Sequence, residues 1–367
     1  MFLNDLQQGS PAPVYECSEY PDLSVTPPPM WKLLDMKKYA SMSLQYSRGC
    51  PFDCEFCSIT MLNGRRPRTK SASQFLAELD SLYQTGWHGS VFIVDDNFIG
   101  NKKRLKSELL PALIQWNERH GHPFSFFTEA SINMADDDEL LLLMASAGFD
   151  HIFIGIESTN DKSLEACGKK QNLQRDMMAS VRKMHRYGLR VSGGFIVGFD
   201  QDPPEIFDEQ IRFIQESGIV TAMVGLLNAP TGTKLFRRLQ KENRLTTEFT
   251  GNNMDGSINF IPRMNYKHLM DGYKKVLTSI YAQKAYYERV KLFLSQYHTK
   301  LQKSDPVRWR EIKALIKSIF LLGIFEKKRH YYWKLFFFSL FRYPGKFPLA
   351  ITLAVYGFHF RRVAATI

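Results

Sequence analysis

Cysteine is scarce in this chain: five occur among 367 residues, three of them in one short loop. That usage argues against disulfide cross-linking and for a reducing compartment. The start, Met1-Phe2-Leu3-Asn4-Asp5, lacks a basic region followed by an apolar run, so no secretory signal is expected. Solenoid repeats and low-complexity blocks are also missing. In the C-terminal hundred residues the longest uncharged run, Phe347–Phe360, is fourteen residues, short of the roughly 20 that span a bilayer. Acidic residues are few there too. From Asn265 onward 20 Lys/Arg face 5 Asp/Glu, whereas the rest of the chain holds 28 against 32. The net charge of +11 is therefore a property of the tail. It does not mark the remainder as a nucleic-acid binder.

What is present is the run Ser47-Arg48-Gly49-Cys50-Pro51-Phe52-Asp53-Cys54-Glu55-Phe56-Cys57, a C-x₃-C-x₂-C spacing. Three thiolates from one loop can hold three irons of a cubane [4Fe–4S] cluster and leave the fourth open for chemistry. A structural zinc site would want a fourth ligand, and Cys17 and Cys167 are far off in sequence. A disulfide among three loop cysteines is geometrically poor and leaves one thiol over. Gly49 permits a tight turn, Pro51 stiffens it, and Phe52 and Phe56 can shield sulfur from water.

Residues 1–40 carry Pro11, Pro13, Pro21, Pro27, Pro28 and Pro29 and read as an extended linker. From Met42 strands and helices alternate. Strands are expected near Met42–Ser47, Ser90–Val94, Phe124–Thr128, His151–Ile156, Leu189–Val197 and Ile219–Leu227. Between them apolar residues recur at helical spacing and stop at Gly86, Gly148, Gly188 and Gly218, with Pro111 interrupting the pattern over Lys102–Arg119. Six βα units in a row favour a parallel sheet with crossover helices. In parallel barrels the working residues sit at the C-terminal strand ends. The Cys loop, Asp95-Asp96-Asn97, Glu129, Glu157 and Asn228 fall at those points. One strand-end acid is usually only solvated; acids after three successive strands beside a cysteine loop point to a site.

On these residues the chain resembles the radical SAM superfamily. The resemblance covers about Met42–Leu245 and implies an α/β fold: a partial (βα)6 barrel, TIM-barrel-like, followed by an all-helical C-terminal domain. The boundaries read as 1–40 linker remnant, 41–262 partial barrel and 263–367 basic, aromatic-rich helical domain. It implies that Cys50, Cys54 and Cys57 ligate a [4Fe–4S] cluster whose open iron takes S-adenosyl-L-methionine, cleaved to a 5′-deoxyadenosyl radical. Phe56, before the third cysteine, matches the family pattern. Asp95, Asp96 and Asn97 stand where the family has a Gly-Gly-Glu motif facing the methionyl group, without its glycines. Glu157 resembles the ribose-contacting acid. Gly194, Ile196 and Gly198 resemble the fifth-strand segment beside adenine. Glu129 is expected at the mouth, and no residue is singled out as catalytic.

The wording of Ser47–Phe52, Val94–Lys103, Thr128–Asn133 and Gly193–Asp200 is similar to the cobalamin-dependent, hopanoid-methylase-like group. That resemblance implies C–H activation, with methylation of a lipid-like substrate as the suggested outcome. The N-terminal cobalamin-binding domain of that group and its Asp-x-His-x-x-Gly signature are not found, so cobalamin is not expected on this chain. Three alternatives stay open: different chemistry, a separate cobalamin-binding subunit, or a truncated, non-catalytic iron–sulfur interaction protein. A flavodoxin- or ferredoxin-like electron donor is implied, in a cytoplasmic setting.

The tail is read from its residues. Tyr331-Tyr332-Trp333-Lys334-Leu335-Phe336-Phe337-Phe338 and the basic surplus suit a helical cap that packs its aromatics on the barrel, or a module that lies on an anionic membrane surface. Nucleic acid is not expected as a partner, since no recognised fold supports it.

Overall fold

The structure, a computed structural model, describes residues 2–16, 19–251, 256–298 and 309–366. Its centre is one parallel sheet of six strands: β1 (Ser41–Leu44), β4 (Ser90–Ile93), β5 (Ser125–Ala130), β6 (Phe149–Glu157), β7 (Arg190–Val197) and β8 (Ala222–Leu226). They lie side by side in chain order, and a short antiparallel ribbon of β2 (Ser47–Arg48) and β3 (Arg68–Thr69) follows the first. Parallel neighbours need crossover connections. These are helices α1 (Ala72–Tyr83), α2 (Leu110–His120), α3 (Asp138–Ser146), α4 (Asp161–Ala166), α5 (Met177–Arg186) and α6 (Ile206–Ser217), and α7 (Lys234–Lys241) follows the last strand.

Local chemistry sets the helix ends. Ser71, Asp137, Asn160, Asp176 and Thr233 each accept a backbone N–H from the first turn behind them, which satisfies an otherwise orphaned donor. Pro111 does not break its helix. It falls in the first turn of α2, just after a π-helical segment at Leu105–Leu109 that absorbs the extra residue. Strand β8 begins at Ala222 rather than Ile219, because Ile219 and Val220 are buried before the pairing with β7 starts.

Side chains alternate across the strands. One face carries Val91, Ile93, Phe126, Ile152, Ile154 and Val191, all essentially without solvent exposure, against the helices. The other carries an aromatic row in which Phe92 stacks on Phe127 at 4.7 Å and Phe127 on His151 at 5.8 Å.

The described part of the first forty residues is not a plain extended linker: a short helix spans Phe2–Gln7 and 3-10 turns fall at Leu23–Val25, Trp31–Leu33 and Met36–Lys38, and the segment is docked. Leu23 and Trp31 are buried, and Gln74 Nε2 donates to the carbonyls of Leu23 and Thr26. Cys17 lies outside the described residues.

The C-terminal helices are α8 (Tyr266–Ile280), α9 (Gln283–Gln296), α10 (Trp309–Ser318), α11 (His330–Arg342) and α12 (Phe347–Ala364), with a π-helical stretch at Ile319–Phe325. Arg289 is fully buried; it donates to Gln215 Oε1 at 3.0 Å and to the Val220 carbonyl at 3.2 Å, with the Tyr286 ring 5.3 Å away. Tyr281 donates to the Ala222 carbonyl and Tyr286 to the Leu353 carbonyl, both at 2.7 Å. The Arg289 and Tyr281 bonds bind the helical region to the barrel as a cap, and the Tyr286 bond ties α9 to α12 within it. Among the described residues no helix is long and apolar enough to cross a membrane. The cap does not bury all its aromatics: Phe325, Phe337 and Phe341 are exposed.

Candidate active site

The cysteine loop leaves β2 and is clamped from below by the acids after β4. Asp95 is buried; its carboxylate accepts from the Tyr46 and Ser47 amides, each at 2.8 Å, and from Ser47 Oγ at 2.6 Å. Burial pushes it up to about 7 against those three donors. Asp96 accepts from the Gly49 amide at 2.7 Å and from Asn63 Nδ2 at 3.0 Å. Both acids therefore hold the loop's backbone. Gly49 has φ +100°, and a Cβ there would lie 2.9 Å from the Arg66 carbonyl, so only glycine fits.

The thiols lie half-buried at Cys50 and Cys57 and buried at Cys54. Burial lifts all three above the usual thiol range, Cys57 to about 11. Opposing it are N–H groups turned toward sulfur. Asn97 Nδ2 is 3.8 Å from Cys50 Sγ, Gln171 Nε2 is 3.8 Å from Cys54 Sγ, and the amides of Phe52 and Ile59 reach Cys50 and Cys57. The Lys169 ammonium acts on all three in the same sense. Among the described residues no three His, Cys, Asp or Glu side chains converge on a single metal ion. A cubane does not ask for that, since each thiolate meets a different iron. Soft sulfur donors ringed by amides and one cation suit an iron–sulfur group.

Cys167, remote in sequence, proves close in space. Its carbonyl accepts from the Glu55 amide at 2.8 Å, so the segment after α4 braces the loop. Its own thiol is turned to the Leu164 carbonyl among Phe199, Leu227 and Leu235, and burial pushes it up to about 12.

Glu157 ends β6 with φ +64°, left-handed backbone that a non-glycine residue adopts only under constraint. The constraint is visible. Asn172 Nδ2 donates to the carbonyls of Gly155 and Ile156 at 3.0 and 2.9 Å, and Gln210 Nε2 to those of Ile196 and Glu157 at 3.0 and 3.3 Å. Glu157 Oε1 accepts from Lys169 Nζ at 2.7 Å. For Lys169, burial works to lower the ammonium, but Glu157 and Cys54 outweigh it and the group is raised. Glu157 Oε2 has no hydrogen-bond partner among the described residues.

Phe56, Glu157, Gly194 and Ile196 line one cavity of about 610 Å³. Gly194 belongs there for a steric reason: a Cβ would lie 2.9 Å from the Phe153 ring. Glu129 sits on the neighbouring strand end, accessible to solvent and with no hydrogen bond or ion pair among the described residues. Its carboxyl is raised, first by the protein crowded round it and then by Asp96 and Glu157. Gly198 stands apart. It forms the turn after β7, where its amide and that of Phe199 donate to Asp202 at 2.9 and 3.0 Å. Lys169, Gln171, Asn172 and Gln210 were not apparent as site residues in the sequence, where a polar side chain that will be buried looks like any other.

Residues 44–214 match the radical SAM superfamily, and residues 233–367 match a domain of unknown function (DUF4070). The chain belongs to the radical SAM superfamily, whose members use a [4Fe–4S] cluster and S-adenosylmethionine. Within it the similarity runs to a methylase-like group. The chain is 40% identical over 366 residues to an uncharacterized methyltransferase of Synechocystis sp., covering 98% of this chain and 68% of that protein. It is 35% identical over 330 residues to the hopanoid C-2 methylase of Rhodopseudomonas palustris, covering 88% of this chain and 61% of the relative. The chain thus spans only about three-fifths to two-thirds of these relatives. In fold it is similar to the radical S-adenosylmethionine methyltransferase TsrM from Kitasatospora setae, solved with cobalamin and a [4Fe–4S] cluster bound; the TM-score is 0.55 at 14% identity, covering 89% of this chain and 62% of that one.

Proposed function

We propose that this chain is the radical-generating part of a methylase-like enzyme, with Cys50, Cys54 and Cys57 as the ligands of a [4Fe–4S] cluster. When bound, such a cluster supplies the electron that cleaves S-adenosylmethionine to a 5′-deoxyadenosyl radical able to attack an unreactive C–H bond. The residues around it have separable tasks. Asp95 and Asp96 fix the backbone of the loop that carries the three cysteines, through the Ser47 and Gly49 amides. Glu157, with one oxygen held by Lys169, keeps the other for ribose hydroxyls. Phe56, Gly194 and Ile196 offer an apolar wall for adenine, and Glu129, on a neighbouring strand end, an unpaired carboxylate for a cationic group. The observation that carries the reading is that Phe56, between the second and third cysteines, and Glu157, a hundred residues on, line the same cavity.

Lipid methylation is the specific activity favoured, supported by the likeness to the hopanoid C-2 methylase and by exposed Phe325, Phe337 and Phe341 on a basic tail that suits peripheral contact with an anionic membrane. A flavodoxin- or ferredoxin-like donor is the partner this activity requires, and a separate cobalamin-binding subunit is one of the open routes to the methyl group.

Anaerobic reconstitution with iron and sulfide, then reduction with S-adenosylmethionine, tests the proposal. About four irons per chain and release of 5′-deoxyadenosine are expected, with both lost in Cys50→Ala, Cys54→Ala and Cys57→Ala. A reconstituted cluster that never yields 5′-deoxyadenosine would favour the rival reading, an iron–sulfur interaction protein without turnover.

A further inference from the structure

The cavity beside Phe56 and Glu157 does not end in the barrel. It runs past Met223 and Gly225 of the edge strand to His359, Phe360 and Val363 on the last helix, α12. A Cβ on Gly225 would meet nothing within 4 Å, as expected of a residue bordering open space. A second, open cavity of about 430 Å³ shares His359 and Phe360 as walls and is also lined by Arg190, Ser192, Thr221 and Tyr356. Arg190, Ser192, Gly194 and Ile196 occupy alternate positions along β7, so they share one face of that strand. At the usual strand rise, Arg190 and Ile196 are about 20 Å apart along it. The two cavities thus lie in line on the sheet's inner face, the first near the cysteine loop and the second at the opposite end.

Their chemistry differs. The first is walled mainly by Phe, Leu, Val, Met and Tyr. The second holds a half-buried guanidinium that makes no hydrogen bond or ion pair among the described residues. Asp150 is near enough to feel its field but does not pair with it. His151 beside it accepts or donates at Ser192 Oγ, 2.7 Å away, and stays neutral because burial and then Arg190 hold it down to about 3. A half-buried guanidinium with no anion paired to it is a ready partner for a carboxylate, which its planar fork can meet with charge-assisted hydrogen bonds.

We infer that the two adjoining cavities together take an elongated, largely apolar substrate with one anionic end, its body below the cysteine loop and its anion on Arg190. His359 and Phe360, which wall both halves, decide which molecules reach from one end to the other. This gives the C-terminal region a share in substrate choice as well as in capping. The inference rests on the proposed radical chemistry only in treating the upper end as the reacting end.

Binding can be read without turnover. Flow dialysis of radiolabelled laurate and dodecanol against the reconstituted full chain, with no S-adenosylmethionine, compares one apolar body with and without an anion. Laurate should bind about tenfold tighter than dodecanol, the worth of one charged hydrogen bond. Arg190→Gln should erase that difference while leaving dodecanol unchanged, and Arg190→Lys should restore most of it. Val363→Trp, which fills the upper cavity, should weaken both, whereas Phe341→Ser on the outer surface should weaken neither. Equal affinity for the two probes, a preference that survives Arg190→Gln, or binding untouched by Val363→Trp but lost in Phe341→Ser would each overturn the inference. None of these outcomes bears on 5′-deoxyadenosine formation, so the two readings fail separately.

Discussion

Lys169 Nζ lies 2.7 Å from Glu157 Oε1, with each side chain only 11% exposed. The pair joins the cysteine loop to the end of β6, because the same ammonium also lies within electrostatic reach of Cys54. Removing one partner strands the other charge out of water. Lys169→Met should therefore cost roughly 3–5 kcal/mol in a denaturant titration, and Glu157→Gln combined with Lys169→Met should recover part of it. The raised lysine also sets a direction in pH. Its contribution is complete below the ordinary lysine value near 10.4 and is lost as pH climbs through the higher folded value. Wild-type stability should show an alkaline decline that Lys169→Met lacks; identical alkaline limbs would mean the pair contributes nothing.

Gly49 offers a sharper test of the loop. Its φ of +100° and the 2.9 Å approach to the Arg66 carbonyl leave no room for a methyl group. Gly49→Ala should destabilise by about 1–3 kcal/mol and lower the iron retained after reconstitution. Unchanged melting temperature and iron content would show that the loop relaxes freely.

The amides turned to sulfur should tune a bound cluster. Asn97 Nδ2 and Gln171 Nε2, each 3.8 Å from a thiol, favour the more negative, reduced state. Asn97→Ala and Gln171→Ala should each lower the midpoint potential by about 20–60 mV, the equivalent of one ordinary hydrogen bond. An EPR-monitored redox titration reads this directly. A potential that does not move would mean these side chains turn away once the cluster is in place.

On the outer face of the cap, Phe337 stacks between Trp333 and Phe341, and Trp333 Nε1 donates to the Gly323 carbonyl at 2.9 Å, which ties α11 to the π-helical stretch. Phe341 is 78% exposed and Phe325 74%, the latter close in sequence to Lys327, Lys328 and Arg329. Full-length protein should co-sediment with anionic vesicles, less so at high salt, since each basic residue at the surface adds about 1 kcal/mol that salt screens. Phe337→Ser with Phe341→Ser should reduce the bound fraction without changing iron content. No sedimentation of the wild type at low salt would end the membrane reading.

The order of strands and helices was legible in the sequence because each element is written locally. Period-2 and period-3.6 apolar patterns, acids at helix starts and glycines at their ends need only neighbouring residues to act. The same holds for the cysteine spacing, which lies within one loop, and for the acids at the strand ends. What those acids do was decided by folding. Asp95 and Asp96 became braces because β1 and β4 pair side by side and bring their carboxylates under the amides of Tyr46, Ser47 and Gly49. Lys169, Gln171, Asn172 and Gln210 became site residues only when packing took them out of water and left the loop's sulfurs and the carbonyls around Glu157 as their partners. The cavity wall formed by His359 and Phe360 depends on the last helix returning to the open edge of the sheet, some two hundred residues after β6. Burial is a property of the whole chain, and no window of sequence contains it.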